Sequence, residues 1–164
     1  MDSEYTILKY PDPRLRETSL PVLKYDRALR EFLKQFARIL DEDKDGMGLS
    51  APQIGVLKRI IAIKHQQRIE IMINPVIKRY YAEEETDKEG CLSFPDLWLE
   101  IKRPRTIDLV YWDKHDKYKS LMLTGTLARC VQHEVEHLNG TLFIDKIADE
   151  AQLQILREWE KVHI

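Results

Sequence analysis

His133-Glu134-Val135-Glu136-His137 sets two imidazoles four residues apart, with a carboxylate directly after the first. On an α-helix, residues i and i+4 share a face about 6 Å apart along the axis. Two neutral imidazoles there can close on one metal ion, with Glu134 beside it as a general base. The competing reading is a chance match on a solvated helix, because charged helices scatter His and Glu freely. Either way the segment reads as helix. It begins at about Thr124 or Thr126 and ends at Asn139-Gly140, where glycine suits a left-handed cap.

Outward from that helix, the chain divides into elements of two periods. From Asp26, a good N-cap, Leu29, Phe32, Leu33, Phe36, Ile39 and Leu40 repeat at helical spacing, ending in the charged run 41–45 before Gly46. Strands are expected at 59–63, 69–73 and 76–81, the last two broken by Asn74-Pro75. Two more, 107–112 and 121–123, flank a polar turn around 114–116. The acidic run 83–89 reads as a solvated loop, and 147–162 as a C-terminal helix. Pro11, Pro13 and Pro21 make the first 21 residues extended or turn-like.

The chain has 164 residues, enough for one substantial core and one domain spanning 1–164. A hydrophobic fraction of 43% with 33% charged residues is ordinary for a soluble globular protein, and the net charge of −2 gives no nucleic-acid surface. Met1-Asp2-Ser3-Glu4-Tyr5 lacks a basic leader and a long apolar run. No apolar stretch approaches the roughly 20 residues needed to cross a bilayer. With only Cys91 and Cys130, metal binding or burial is a better reading than a disulfide. The expectation is a soluble, cytoplasmic protein.

Three of the six glycines fall in Gly46-Met47-Gly48-Leu49-Ser50-Ala51-Pro52-Gln53-Ile54-Gly55. A phosphate-cradling loop does not fit, because its lysine and spacing are missing. A flexible connection fits, as does a rigid edge segment whose backbone pairs with an extended substrate. A third metal ligand must come from elsewhere. Cys130 lies roughly 10 Å along the helix axis from His137, and its sulfur cannot cover that gap to reach about 2.3 Å from an ion. Cys91, in Glu89-Gly90-Cys91-Leu92-Ser93, is better placed, although a buried inert thiol also suits it.

Taken together, these segments resemble the peptide deformylases. The family's Gly-x-Gly-Leu-Ala-Ala-Pro-Gln is similar to Gly46–Gln53, with Ser50 for the first Ala. Its Glu-Gly-Cys-Leu-Ser stands unchanged at Glu89–Ser93. Its Gln-His-Glu-x-Asp-His-Leu-x-Gly is similar to Gln132–Gly140, with Glu136 for Asp. Tyr10-Pro11-Asp12-Pro13-x-Leu15-Arg16 also resembles family N-termini, and the likeness covers roughly residues 6–147.

The resemblance implies an α+β fold with antiparallel strands packed around a central metal-binding helix, plus an N-terminal and a C-terminal helix. It implies hydrolysis of the N-formyl group from nascent peptides that begin with formyl-methionine. Cys91, His133 and His137 would hold one divalent ion, Fe²⁺ first, with Zn²⁺ or Ni²⁺ able to take the same site. Glu134 would be the base, and the Gln53 amide with the Leu92 backbone N–H would face the oxyanion. Gly46, Met47, Gly48, Glu89, Gly90 and Arg129 would line the substrate. In deformylases with a ribosome-binding tail that tail is basic, whereas 148–164 is mixed in charge, which argues against such a tail and leaves at most a transient contact with the ribosome.

Departures from the family pattern carry their own expectations. Ser50 for Ala is a small change, expected to be neutral. Glu136 either pairs with a cation behind the site, Arg103 being the candidate, or forms a solvent-facing ion pair. Thr126 and Arg129 stand where many members carry aliphatic residues around the methionine side chain. Arg129 must reach water, pair with an acid, or leave the pocket open at one end, and in each case the apolar grip on methionine is expected to weaken. Two rival functions share the motif: a zincin-type metallopeptidase and a catalytically silent deformylase-like binding protein. The upstream Glu-Gly-Cys-Leu-Ser opposes the first, and the full set of chemical residues opposes the second.

Overall fold

The computed structural model describes residues 4–164; Met1–Ser3, part of the segment read as lacking a leader, lie outside the described residues. Helix α1 (Arg27–Glu42) is followed by β1 (Gly48–Ser50), β2 (Ile60–His65), β3 (Arg68–Tyr80), β4 (Glu84–Cys91), β5 (Phe94–Pro104), β6 (Thr106–Trp112) and β7 (Tyr118–Thr124). Helices α2 (Thr126–Leu138) and α3 (Glu150–His163) close the chain. The named strands pair antiparallel, in a five-stranded sheet of order β1-β2-β3-β6-β7 and a separate ribbon β4-β5.

The fold is α+β, and β2 is apolar on both faces because helices cover both sides of the five-stranded sheet. Successive strand residues point to opposite sides. Ile60 and Ala62 therefore join Leu29, Leu33, Phe36 and Leu40 of α1 in one core, with Leu49, Ile71 and Ile73. Ile61 and Ile63 join Ala128, Val131, Val135 and Leu138 of α2 in a second, with Met72, Ile107 and Leu109. An uninterrupted Ile-Ile-Ala-Ile run is what a strand between two helices requires. Truncating the fully buried Phe36 to Ala would cost about 3–5 kcal/mol. The Asp26 carboxylate caps α1 by accepting from Leu29 N at 2.9 Å. Gly140 ends α2 at φ +70°, close against the Arg16 carbonyl, where a Cβ would sit 2.3 Å from that oxygen.

Three expectations are corrected. The acidic run 83–89 is largely strand: β4 pairs with β5 from Glu84↔Pro104 to Glu89↔Leu99. Its carboxylates face cations across or beside the ribbon, Glu84 with Lys102 at 3.2 Å and Glu83 with Arg105 at 3.4 Å. Asn74-Pro75 does not break the strand, since β3 runs through it with a register shift between Ile73 and Val76. Asn74 takes φ +50° there and holds Val22 at both backbone groups, 2.8 and 2.9 Å. The C-terminal helix starts at Glu150 rather than 147. Asp149 caps it by accepting from Gln152 N at 2.9 Å, after a 3-10 turn at Phe143–Lys146.

A third core joins the ribbon to α3. Leu97, Leu99 and Ile101 alternate inward along β5 and pack with Phe94, Leu15, Phe143 and Trp159. The Trp159 indole N–H donates to the Pro95 carbonyl at 2.6 Å. This core fixes the ribbon, and with it Cys91, relative to α3.

Candidate metal centre

Helix α2 presents His133, Glu134 and His137 from a buried surface; their exposures are 6%, 4% and 1%. Cys91, the last residue of β4, brings its Sγ to 3.4 Å from His137 Nε2. Donor atoms of Cys91, His133 and His137 all lie within 4.8 Å of one another. A tetrahedral ion with sulfur at about 2.3 Å and nitrogen at about 2.0–2.1 Å holds those two ligands roughly 3.5 Å apart. The sulfur–nitrogen spacing fits that demand, and the thiolate–imidazole set suits Fe²⁺, Zn²⁺ or Ni²⁺. Cys130 stays outside this group, as its position on the helix requires.

Glu89 orients the first histidine. Its Oε1 meets His133 Nδ1 at 2.9 Å, which leaves Nε2 for the centre. The same carboxylate accepts from Arg103 Nη2 at 2.8 Å and from Arg129 Nη1 at 2.7 Å. Burial alone would raise Glu89, but hydrogen bonds from Arg103 and then His133 outweigh it and bring the carboxyl down to about 2. Arg103, 1% exposed, also donates to Glu136 at 2.7 Å, so Glu136 pairs inward as well as with Lys146 at 2.9 Å. The added methylene of Glu136 thus still reaches the cation named from sequence.

Arg129 does not snorkel. It is 6% exposed and donates to Glu89, to the Ile101 carbonyl at 2.7 Å and to the Glu85 carbonyl at 2.8 Å. An ion pair with a buried acid removes the need to reach water. Glu89 lies forty residues upstream, and nothing local in α2 announces it.

Burial pushes His133 down, yet hydrogen bonds to Cys91 and Glu89 carry it well above the ordinary imidazole value. Burial, then the charge of His133, pushes His137 well below. Glu134 is raised to about 7 by burial, and its Oε2 has no hydrogen-bond partner. An unpaired buried carboxylate oxygen beside three convergent donors is poised for a proton or a water. Burial, with Glu134 and Glu89 adding to it, holds the Cys130 thiol well above its usual range, so it stays protonated.

The glycine-rich segment closes one side of this cavity. Strand β1 is the edge of the five-stranded sheet, paired on one side with β2. A Cβ at Gly48 would lie 2.7 Å from Glu134 Oε1 and 2.9 Å from Cys130 Sγ, so backbone and carboxylate approach only because no side chain intervenes. Gly90 is covered by the Trp98 ring, 3.0 Å from where its Cβ would be. Met47 is exposed at the cavity mouth. Leu92 lines the cavity too, and its carbonyl accepts from Lys9 Nζ.

Gln53, 1% exposed, is locked at both ends of its amide. Oε1 accepts from Ser50 N at 2.9 Å and from Ser50 Oγ at 3.0 Å. Nε2 therefore points to Ser93 Oγ at 3.1 Å and Cys91 Sγ at 3.4 Å. Ser50, expected to be neutral, adds a hydrogen bond that alanine could not make. Arg103 and Trp98 complete the surroundings. Arg103 is legible in the sequence only as a partner for Glu136, and sequence reasoning missed Trp98, which the alternation along β5 could have shown as an outward residue.

The sequence matches the family model described as polypeptide deformylase over residues 4–152. A peptide deformylase of Brucella suis is 37% identical over 157 residues, covering 93% of this chain and 89% of that protein. One from Rhizobium meliloti is 38% identical, covering 92% and 89%. Among solved structures, a peptide deformylase from Synechococcus elongatus in complex with actinonin superposes with a TM-score of 0.91 at 34% identity, covering 97% of this chain and 87% of that one. The Thermotoga maritima enzyme gives 0.84 at 37% identity, covering 88% and 98%. Likeness of this extent, in sequence and in fold together, makes the chain a member of the peptide deformylase family.

Proposed function

We propose that Cys91, His133 and His137 hold one divalent ion, Fe²⁺ in the first instance, and that α2 is the central metal-binding helix of a single catalytic domain. The observation that carries this is the convergence of those three donors beside the unpartnered Oε2 of Glu134. The chain is a peptide deformylase by family: it removes the N-formyl group from nascent polypeptides and releases formate.

A divalent cation held by Cys91, His133 and His137 would supply a Lewis acid for the formyl carbonyl and would lower the pKa of water. Glu134 takes the proton of the attacking water and delivers it to the leaving amine. Gln53 Nε2 and the Leu92 backbone N–H face the oxygen that becomes negative. Preset donors do this without reorganising, and the Ser50 lock on Gln53 serves that end. The backbone of Gly46, Met47 and Gly48, along the free edge of β1, pairs with the extended peptide. Glu89 and Gly90 border the same groove. Glu89 acts mainly through His133, while Arg129 braces Glu89 and borders the pocket for the first side chain.

The substrate is a formyl-methionyl nascent chain met in the cytoplasm. Contact with the ribosome is transient, because α3 mixes Glu150, Glu158 and Glu160 with Arg157 and Lys161. Among the described residues no helix is long and apolar enough to cross a membrane. Anaerobic purification with metal analysis and a formyl-Met-Ala-Ser assay tests the reading. About one ion per chain with release of formate is expected. Cleavage of internal peptide bonds, or no formate from metal-replete protein, would overturn it.

A further inference from the structure

The two proposed oxyanion donors sit on different elements: Gln53 in the 3-10 turn Ala51–Ile54, and Leu92 in the turn that joins β4 to β5. One short segment near the start of the chain ties both. Leu8 N donates to the Gln53 carbonyl at 2.7 Å, and Tyr10 N donates to the Ser93 carbonyl at 2.9 Å. The Tyr10 ring stacks on Phe94 with centroids 4.8 Å apart. Between these two anchors, Lys9 Nζ donates to the Leu92 carbonyl at 2.5 Å.

Cys91 and Phe94 are partners in the β4-β5 ladder, so Leu92 and Ser93 are the central residues of the turn. Carbonyls at those positions point away from the ladder and need partners elsewhere. Both partners here come from residues 9 and 10. The backbone bonds of Leu8 and Tyr10 would form with almost any side chain at those positions. The bond to Leu92 depends on lysine, and a cationic donor makes it stronger than a neutral one would. The Leu92 N–H and the Leu92 carbonyl flank one α-carbon. With the carbonyl clamped and Cys91 held in the ladder, the peptide that carries the N–H has little freedom to turn.

We propose that Lys9 is a positioning residue for deformylation. It acts through the Leu92 carbonyl and holds the turn so that the Leu92 N–H keeps its aim at the developing oxyanion. This rests on the deformylase reading and extends it to a residue outside the three motifs that carry the chemistry. A preset donor is effective because it need not reorganise as charge develops. A small misplacement of a reacting group is costly in rate. Lys9 also borders the cavity mouth, with Asp45, Lys88 and Asp96. The rival role is therefore an ionic contact with the terminal carboxylate of a short peptide.

Formyl-Met-Ala-Ser and its C-terminal amide, assayed with metal-loaded wild type, Lys9→Met and Lys9→Arg, separate these roles. Lys9→Met should lower kcat on the order of tenfold for both peptides, less than loss of the donor itself, with KM nearly unchanged. Lys9→Arg keeps a cationic donor and should recover most of that loss. In the metal-free proteins, hydrogen exchange across residues 91–94 should quicken in Lys9→Met and stay near wild type in Lys9→Arg. If the methionine variant fails to fold, Lys9→Gln takes its place with the same expectations. Unchanged kcat, a loss that appears in KM or only with the carboxylate peptide, or equal losses in both variants overturns the proposal. Absence of formate from both peptides with metal-loaded wild type overturns the deformylase reading instead, and the exchange comparison still tests the clamp.

Discussion

Glu89 Oε1 and His133 Nδ1 lie 2.9 Å apart, and the same carboxylate carries two arginines. This one acid ties the ribbon to α2 and fixes which ring nitrogen of His133 faces the centre. Such outer partners are worth about 10–100-fold in metal affinity.

Glu89→Gln should therefore loosen metal binding by about that factor, measured by competition with a chelator. It should also change acid stability. The folded carboxyl sits at about 2 against an ordinary 4.5. A depressed pKa contributes stability that is full above 4.5 and is lost as pH falls towards 2. The contribution is about 3 kcal/mol. Urea midpoints of the metal-free proteins at pH 6 and pH 3.5 should converge as the pH drops. Parallel curves would mean that Glu89 is not the group responsible.

Glu134→Ala should keep its metal and lose turnover by about 10²–10⁴-fold. The carboxylate is buried, its Oε2 is unpartnered, and it lies against the Gly48 backbone. Metal content by atomic absorption and formate release report the two effects separately. Near-wild-type turnover by the loaded variant would remove Glu134 from the mechanism.

The two cysteines should separate cleanly. Cys91→Ser should weaken metal binding severely, because a hydroxyl replaces the sulfur that lies 3.4 Å from His137 Nε2. Cys130→Ser should leave stoichiometry near one ion per chain, since that thiol is a protonated neighbour of the site. Equal losses in both variants would contradict the assignment.

Legibility in the sequence followed how local each cause was. Helix α1 and the end of α2 are readable because their period, the Asp26 cap and the Gly140 stop lie within the segments themselves. Cys91 was reachable because a helix axis has a fixed rise, which ruled out Cys130. Strand β4 was not readable: five of its eight residues are charged, and its pairing comes from β5. The alternation of Leu97, Leu99 and Ile101 is the signal that could have revealed β5, and then its partner. Pairing with an acid is one of the outcomes expected for Arg129, but which acid is not legible, because Glu89 sits on another element. Its burial is a tertiary fact, as is the lock of Ser50 on Gln53.

That lock gives the last prediction. Gln53 Oε1 accepts from both the backbone N–H and the hydroxyl of Ser50, and this turns Nε2 towards Cys91 Sγ. Ser50→Ala keeps the backbone donor and removes the hydroxyl, so the amide stays oriented with one restraint fewer. The lost hydrogen bond should cost about 0.5–1.5 kcal/mol of stability. Turnover should fall only a few-fold, with KM nearly unchanged, because the proposed oxyanion donor is still present but is less firmly held. Gln53→Ala removes the donor itself and should cost about 10²–10³ in kcat. Steady-state kinetics on formyl-Met-Ala-Ser with both variants, beside thermal melts, separate the two roles. If Ser50→Ala loses as much kcat as Gln53→Ala, then the hydroxyl acts on the reacting atoms directly rather than through Gln53.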